Sequence, residues 1–492
     1  VTTGATTTGE RADHRVPEWD ALFIGGHWAP RPSSPAIEVV SPHDAHVVGR
    51  APMATPDDVD LAVASARHAF DTGPWPHLEP SERVAVLRRF ADIYEARQEE
   101  MALLITAETG SPVTFSRLGQ AWAPWSLLDV TLGLASLIEW EEERPGLFGR
   151  TLVRREPVGV VAAIAPWNVP QMTIMSKLAP ALVAGCTVVV KPSPETPLDA
   201  LLMAEWIAEA GLLEGVVSVL PAGREVGEYL VSHPGIDKVA FTGSTVAGRR
   251  IGSICGEQIK RVGLELGGKS AAIILDDADL AGVATGLRFA SFMNSGQACA
   301  AQTRVLAPRH RHDEVADALG EVARGLVVGN PFEEATEIGP MVSRRHQNRV
   351  AGYIALGIDE GARVVTGGPG EPDGLGGGCY VRPTVFASVE NSMRIASEEI
   401  FGPVVVVIPY DGEEEAVRIA NESEYGLAGS VWTGDETHGL EVARRIRTGT
   451  IGINKYAPDL SSPFGGYKAS GIGREYGREG LEEYFELKSI AP

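Results

Sequence analysis

Short apolar runs alternate with amphipathic stretches between Pro157 and Gly267. Residues 158–164, 187–190, 216–220 and 238–241 are mostly aliphatic, with no polar face, so they read as buried strands. Residues 172–183, 198–210, 226–231 and 246–256 carry the helical repeat instead. Strand followed by helix, repeated four times, predicts an α/β fold built on a parallel, doubly wound sheet. Ligands bind such sheets at the carboxyl ends of the strands. Residues 270–451 alternate in the same way and predict a second α/β unit. Upstream, Leu22–Ile24 lead into a turn at Gly25-Gly26. Residues 56–98 read as helical, with Asp57-Asp58 at the start and Val59, Ala62, Val63 and Ala66 on one face. Residues 141–149 read as the turn of a projecting hairpin and 371–378 as a Gly-rich surface loop. No internal repeat of about 20–50 residues is visible.

A chain of 492 residues exceeds one typical core and implies two or three domains. Its net charge of −22 disfavours nonspecific binding to nucleic acid or to anionic membrane. No apolar run approaches the ~18 residues of a membrane span. Residues 1–21, rich in Thr and Gly at their start and without an apolar signal core, read as an extended or disordered tail. Cys186, Cys255, Cys299 and Cys379 are too few for a disulfide framework, which fits a reducing cytoplasm.

Candidate chemistry clusters at the predicted strand ends. Cys299 lies in Gly296-Gln297-Ala298-Cys299-Ala300. A Cys among small residues is most often a core thiol, but Gly296 and Gln297 favour a turn that exposes it. Glu265, in Leu264-Glu265-Leu266-Gly267-Gly268-Lys269, has apolar neighbours on both sides. Either it pairs with a cation, or burial raises its pKa towards that of a general base. The segment from Gly263 to Ser270 also fits the phosphate-binding pattern G-x-x-x-x-G-K-S. That reading requires a helix next, whereas residues 271–275 read as a strand, so an NTPase is disfavoured. Asn168, in Pro166-Trp167-Asn168-Val169-Pro170, is either a turn residue or an amide donor for an oxyanion. Lys191-Pro192-Ser193 and Gly243-Ser244-Thr245 follow strands and suit ribose and pyrophosphate, or serve as plain turns and caps. Glu399 and Phe401 precede a Gly-Pro turn. Residues 309–312 read as solvated basic surface, and no Cys/His set has metal-ligand spacing.

Taken in order, these segments, together with Pro463-Phe464-Gly465-Gly466, resemble the aldehyde dehydrogenase superfamily from about Leu22 to the C-terminus. The separation of Glu265 and Cys299 is also similar to that family's spacing of base and nucleophile. The resemblance implies a Rossmann-like NAD(P)-binding domain (22–138 with 158–267), a catalytic domain (268–470) and a bridging, oligomer-forming element (139–157 with 471–492). It implies a homo-oligomer, a dimer or a dimer of dimers. It assigns Cys299 as nucleophile, Asn168 as oxyanion donor and Glu265 as the base that hydrolyses a thioester. Lys191 is expected at the adenosine ribose, Ser244 at the pyrophosphate, Glu399 at the nicotinamide ribose and Phe401 beside the nicotinamide. Ile164, Pro166, Trp167, Ser193, Glu195, Gly223, Phe241, Gly243, Leu266 and Gly267 complete the expected cofactor set. Members strict for NAD often carry Glu three residues after the Lys; here Pro194 stands there and the carboxylate moves to Glu195. The expected cofactor is therefore NAD, with NADP as the alternative and Arg224 as a candidate phosphate partner. The expected substrate pocket comprises Val169, Thr173, Ser176, Trp122, Ala298, Ala300 and Phe464. Its small side chains predict a medium-chain, terpenoid or aromatic aldehyde. The competing readings are a CoA-acylating semialdehyde dehydrogenase, disfavoured by Glu265, and a non-catalytic scaffold, disfavoured by the intact Cys299, Glu265 and Asn168.

Overall fold

The computed structural model describes residues 18–31, 35–147 and 149–491, so most of the expected tail lies outside the described residues. Two twisted sheets carry the chain. The larger runs in the order Gly471–Ile472, Arg261–Glu265, Lys238–Thr242, Val160–Ile164, Thr187–Lys191, Val217–Val219, Ala21–Ile24 and His27–Pro30. Its five inner strands are parallel and its edges antiparallel. From Val160–Ile164 the chain first builds outwards through Thr187–Lys191, then returns to the other flank at Lys238–Thr242. That reversal opens a crevice at the carboxyl ends, between Pro166–Asn168 and Thr242–Thr245.

The helix Pro170–Ala184 occupies the layer beside this crevice. Every one of its residues is buried, including the polar Gln171, Thr173, Ser176 and Lys177. Pro170 starts it and Gly185, at φ 99°, ends it. The expected continuous helical stretch over 56–98 is instead two helices, Pro56–Asp71 and Pro80–Ala96, joined through Trp75–His77. Gly73, Pro74 and Pro76 break the ladder, because proline donates no N–H.

The second sheet runs Arg363–Thr366, Thr384–Ala387, Val404–Tyr410, Arg304–Pro308, Ala271–Ile274, Gly429–Trp432 and Gly452–Ile453, parallel except at its first pair. Ala271–Ile274 is the strand that excludes a phosphate-binding loop at Lys269-Ser270. Phe485–Ile490 joins the hairpin of Glu141–Gly146 and Gly149–Pro157 in a separate three-stranded sheet. Gly471–Ile472 pairs with the larger sheet instead. The basic surface read over 309–312 ends one residue early: His312 is buried, and its Nε2 accepts from the Ser388 N–H at 3.2 Å. No helix among the described residues is long and apolar enough to cross a membrane.

Trp206 anchors the larger core, fully buried and edge-on to Tyr94 with ring centroids 5.1 Å apart. Its indole N–H has no partner among the described residues. Trp206→Ala should cost about 3–5 kcal/mol through the cavity it leaves. Trp206→Phe should cost clearly less, since it also removes an unsatisfied donor. Thermal denaturation of both variants tests this ranking; equal losses would refute it.

Candidate active site

Cys299 owes its position to an unusual turn. The helix Leu280–Phe292 ends, and Asn294, Ser295 and Gly296 follow in the left-handed region at φ 49°, 58° and 73°. Two of these carry a Cβ, so neighbours must hold the strain. The Asn294 side-chain amide donates to the Asn168 carbonyl at 2.8 Å, and Ser295 Oγ accepts from the Gly339 N–H at 2.9 Å. Gln297 Oε1 accepts from the Val342 N–H at 3.0 Å. Gly296 lies so close to the Gly402 carbonyl that a Cβ there would overlap it. All four cysteines are free thiols, and Cys299 is the half-buried one while the other three are buried.

Asn168 and Glu265 converge on this turn from the larger sheet. Asn168 Nδ2 donates to the Gln297 carbonyl at 2.9 Å, which pins its amide beside the Cys299 loop. Gly268, three residues after Glu265, passes against the Cys299 carbonyl with no space for a side chain. Glu265 is 5% exposed, and neither of its carboxylate oxygens has a partner among the described residues. Burial and the nearby Glu475 push its pKa well up, against the pull of Lys177 and Arg474. Lys177, which the sequence reading passed over, is fully buried and donates to Glu475 Oε1 at 2.7 Å and Thr242 Oγ1 at 2.6 Å. Burial, then the charges of Glu399 and Glu265, push the Cys299 thiol up to about 12.

A cleft of about 400 Å³ opens at the switch point and reaches Cys299. Pro166, Trp167, Gly243, Ser244, Leu266, Gly267, Glu399 and Phe401 line it, as the sequence suggested for a dinucleotide. Ser244 caps the helix Thr245–Gln258, whose first N–H groups face the cleft, a natural seat for a pyrophosphate. Lys191 Nζ donates to the carbonyls of Pro192 and Ala222 at 2.8 and 2.7 Å, and burial lowers it to about 8. Ser193 Oγ donates to Glu195 Oε2 at 2.5 Å, while Gly223 caps the exposed Arg224 at the head of Arg224–Ser232. Glu399 accepts from the Gly268 N–H at 3.0 Å, and a Cβ on Gly267 would lie 2.5 Å from its Oε2. Six expected contacts do not line the cleft: Ile164 and Phe241 are buried in the sheet core, and Lys191, Ser193, Glu195 and Gly223 lie outside it. His346 is an addition. It meets Trp167 and Phe401 with ring centroids 5.2 and 5.9 Å apart, and its Nε2 donates to the Phe401 carbonyl at 2.6 Å. Phe401 stands at φ 67°, a strain that this bond helps to hold.

The far side of Cys299 is apolar. Leu127, Met172, Leu427, Phe464 and Tyr476 form a small cluster with Ala123, Val169, Leu460 and Cys299 at its edge. Val169 and Cys299 belong to both this cluster and the cleft. Of the expected pocket residues, Val169 and Phe464 are therefore in place, Thr173 lines the cleft, and Ala298 is half-buried beside Cys299. Three differ. Trp122 stands 46% exposed while the next turn supplies Ala123 and Leu127. Ala300 packs into the core of the second sheet. Ser176 is buried with its hydroxyl donated to the Thr173 carbonyl at 3.0 Å. A one-residue error in helical phase turns a side chain by ~100°, which sequence spacing alone does not resolve. Among the described residues no cluster of three or more His, Cys, Asp or Glu is arranged to hold a metal.

The profile of the aldehyde dehydrogenase family matches residues 28–490. A geranial dehydrogenase from Castellaniella defragrans is 48% identical over 470 residues, covering 95% of this chain and 98% of that one. An aldehyde dehydrogenase from Mycobacterium tuberculosis, solved with NAD+, superposes with a TM-score of 0.95 at 51% identity, covering 97% and 98% of the two chains. A variant of aldehyde dehydrogenase C from Pseudomonas syringae, solved with NAD+ and octanal, gives 0.93 at 42% identity and 96% coverage of both.

The carboxylates around Cys299 make a kinetic prediction. A thiol near pKa 12 is ionised to roughly one part in 10⁵ at pH 7, so the cofactor-free protein should alkylate slowly there. A raised pKa keeps the thiol protonated, so the iodoacetamide rate at Cys299 should climb about tenfold per pH unit from pH 7 to 10. Glu265→Gln removes one negative neighbour wherever Glu265 is ionised and should raise the rate there. A plateau below pH 9 in the unsubstituted protein would refute the electrostatic account.

Proposed function

The chain belongs to the aldehyde dehydrogenase family, and from that premise we propose how its own residues divide the reaction. It is an NAD(P)-dependent aldehyde dehydrogenase, with NAD as cofactor. The observation that carries the reading is the position of Cys299, shared between the polar cleft and the apolar cluster. The Cys299 thiol releases its proton to solvent in the cleft, and the thiolate Sγ attacks the aldehyde carbon. The carbonyl oxygen becomes an oxyanion, held by the Asn168 amide and the Cys299 N–H. Bound NAD supplies the hydride acceptor and a positive ring beside the thiol. The acyl group is then a thioester on Cys299. Glu265 takes a proton from water as the water oxygen attacks the acyl carbon, the C–S bond breaks, and the thiol is re-formed as the acid leaves. The unpartnered Glu265 carboxylate supports hydrolysis over transfer to CoA.

Lys191, Ser193, Glu195 and Gly223 flank the adenosine end, Ser244 and the helix behind it the pyrophosphate, and Glu399 with Phe401 the nicotinamide end. A carboxylate retained at Glu195 favours NAD over NADP, so kcat/KM should be higher with NAD; the reverse order overturns that preference. Residues 22–138 with 158–267 serve as cofactor domain and 268–470 as catalytic domain. The three-stranded sheet, with Leu487 exposed, pairs with a second copy. Four free thiols suit a reducing cytoplasm.

The substrate is an apolar aldehyde of medium length, terpenoid or aromatic. The cluster around Cys299 offers hydrocarbon and aromatic walls, and relatives include a geranial dehydrogenase and a structure with octanal.

Three variants and an aldehyde series test this reading. Cys299→Ala should fold and bind NAD yet lose essentially all turnover. Glu265→Gln should give a first turnover of NADH and then stall, with an acyl-enzyme visible by intact mass. Equal loss of both phases would reassign Glu265 to thiol activation. Across aldehydes, kcat/KM should rise from acetaldehyde to octanal and citral, each buried methylene adding on the order of 1–3 kcal/mol. Ala123→Phe should shift the optimum to shorter chains. An optimum at two or three carbons refutes the wide apolar pocket.

A further inference from the structure

Tyr476 is the most strained residue beside the reacting centre. Its backbone stands at φ 60°, ψ 166°, a region essentially reserved for glycine. The conformation is clamped from both sides. Glu475 exchanges both backbone hydrogen bonds with Phe464 at 2.7 Å, and the Tyr476 carbonyl accepts from the Gly480 N–H at 2.8 Å. A glycine would relieve the strain, yet the chain places a phenol here, so the side chain is what the site requires.

The phenol ring lies flat on Phe464, with centroids 5.1 Å apart and planes 25° apart. The other aromatic pairs among the described residues are tilted or edge-on, so this ring is held in one orientation by a parallel partner. It packs in the cluster that borders Cys299. Glu265 reaches the same place from the opposite sheet: a Cβ on Gly465, next to Phe464, would lie 2.7 Å from Glu265 Oε1.

The polar groups here are unequally satisfied. Tyr456 shares a hydrogen bond with Thr450 at 3.2 Å, Thr173 and Ser176 donate to backbone carbonyls, and Asn168 donates to Gln297. Both Glu265 oxygens are buried and unpartnered among the described residues; the Tyr476 hydroxyl, on a residue 9% exposed, makes no hydrogen bond to another side chain among them. Burial pushes the phenol well above its usual pKa, followed by the charges of Glu475, Cys299 and Glu265, so it stays a hydrogen-bond donor across the working range. A hydroxyl carried in the Cys299 cluster and an unpaired buried carboxylate beside Gly465 can be bridged by a molecule that both donates and accepts, and water does.

We propose that Tyr476 is a positioning residue for thioester hydrolysis, its hydroxyl holding the attacking water opposite Glu265. The inference rests on the assignment of Cys299 and Glu265 above. The water gives one proton to Glu265 and its attacking lone pair to the acyl carbon. The phenol O–H donates to the remaining lone pair and keeps its own proton throughout. The C–S bond breaks as the new C–O bond forms, and Glu265 returns a proton to the sulfur.

The test is Tyr476→Phe, which keeps the ring, its stacking and the backbone strain and removes one oxygen. During turnover of octanal with NAD, acid-quenched samples are weighed intact and the acylated fraction of Cys299 is measured. Losing one water-orienting hydrogen bond should slow deacylation about tenfold. The acyl-enzyme fraction should rise and steady kcat fall, with the first-turnover NADH rate and melting temperature unchanged. An unchanged acyl fraction overturns the proposal, and so does an equal fall in the first-turnover and steady rates. Glu265→Gln, run beside it, separates the two failures: if that variant accumulates no acyl-enzyme, the underlying assignment fails, whereas accumulation in it alone sinks only the role of Tyr476.

Discussion

Backbones from separate parts of the chain meet at Cys299 without a side chain between them. Gly268, after the last parallel strand of the larger sheet, touches the Cys299 carbonyl, and Gly296 touches Gly402. Any Cβ at either seam would overlap a backbone atom, and backbone cannot step aside as a flexible side chain does. The Gly268 contact brings the ends of the two α/β sheets within reach of one thiol, and the Gly296 contact packs the thiol turn against the segment that follows Glu399 and Phe401. Together they place Glu265 and Asn168, from the larger sheet, beside the Cys299 thiol carried by the smaller. They also carry Glu399 to Gly267-Gly268, at the edge of the cleft. A site assembled this way keeps its geometry because the layers cannot slide past one another without separating the seam.

The strain around the seam has a common pattern. Asn294, Ser295, Phe401 and Tyr476 all hold positive φ without being glycine. Each is clamped by a specific bond: Asn294 to the Asn168 carbonyl, Ser295 to Gly339, Phe401 through His346, and Tyr476 through Glu475 and Gly480. Ala45, Ile259, Ser388, Asn454 and Lys468 also hold positive φ away from the site. At the four residues beside the cleft or the thiol turn, the strain fixes side-chain directions that relaxed backbone would not give.

How much of this was legible beforehand depended on whether the signal was local. Each parallel strand of the larger sheet between Val160 and Leu264 that was read from its aliphatic run is present, because burial on both faces leaves a local trace. Gly, Pro and paired apolar neighbours marked Cys299, Glu265 and Asn168 only as candidates, and it was the resemblance that proposed a role for each. His346, Lys177 and Tyr476 were not legible, since each acquires its setting from segments distant in sequence: His346 from Trp167 and Phe401, Lys177 from Glu475, Tyr476 from Phe464. Trp122, Ala300 and Ser176 show the opposite error. They lie near the right segments, but helical phase and turn direction send their side chains elsewhere.

The electrostatics of the cofactor-free site follow from the same assembly. Three carboxylates, Glu399, Glu265 and Glu475, act on Cys299 in the same sense, and all oppose its ionisation. Lys177 and Arg474 are the nearby cations, and Lys177 is committed to Glu475. The protein therefore holds its thiol neutral and slow to oxidise or alkylate until positive charge enters the cleft. Only the cleft side is polar enough to admit it, because the other face of Cys299 is closed by Leu127, Met172, Leu427 and Phe464. On the proposed mechanism, cofactor and aldehyde approach the sulfur from faces of opposite character. An apolar aldehyde that occupies its side removes water from the thiol, which strengthens every charge interaction across the cleft. The order in which the faces fill then decides when the nucleophile becomes reactive: charge must arrive first, since burial alone pushes the thiol further from ionisation.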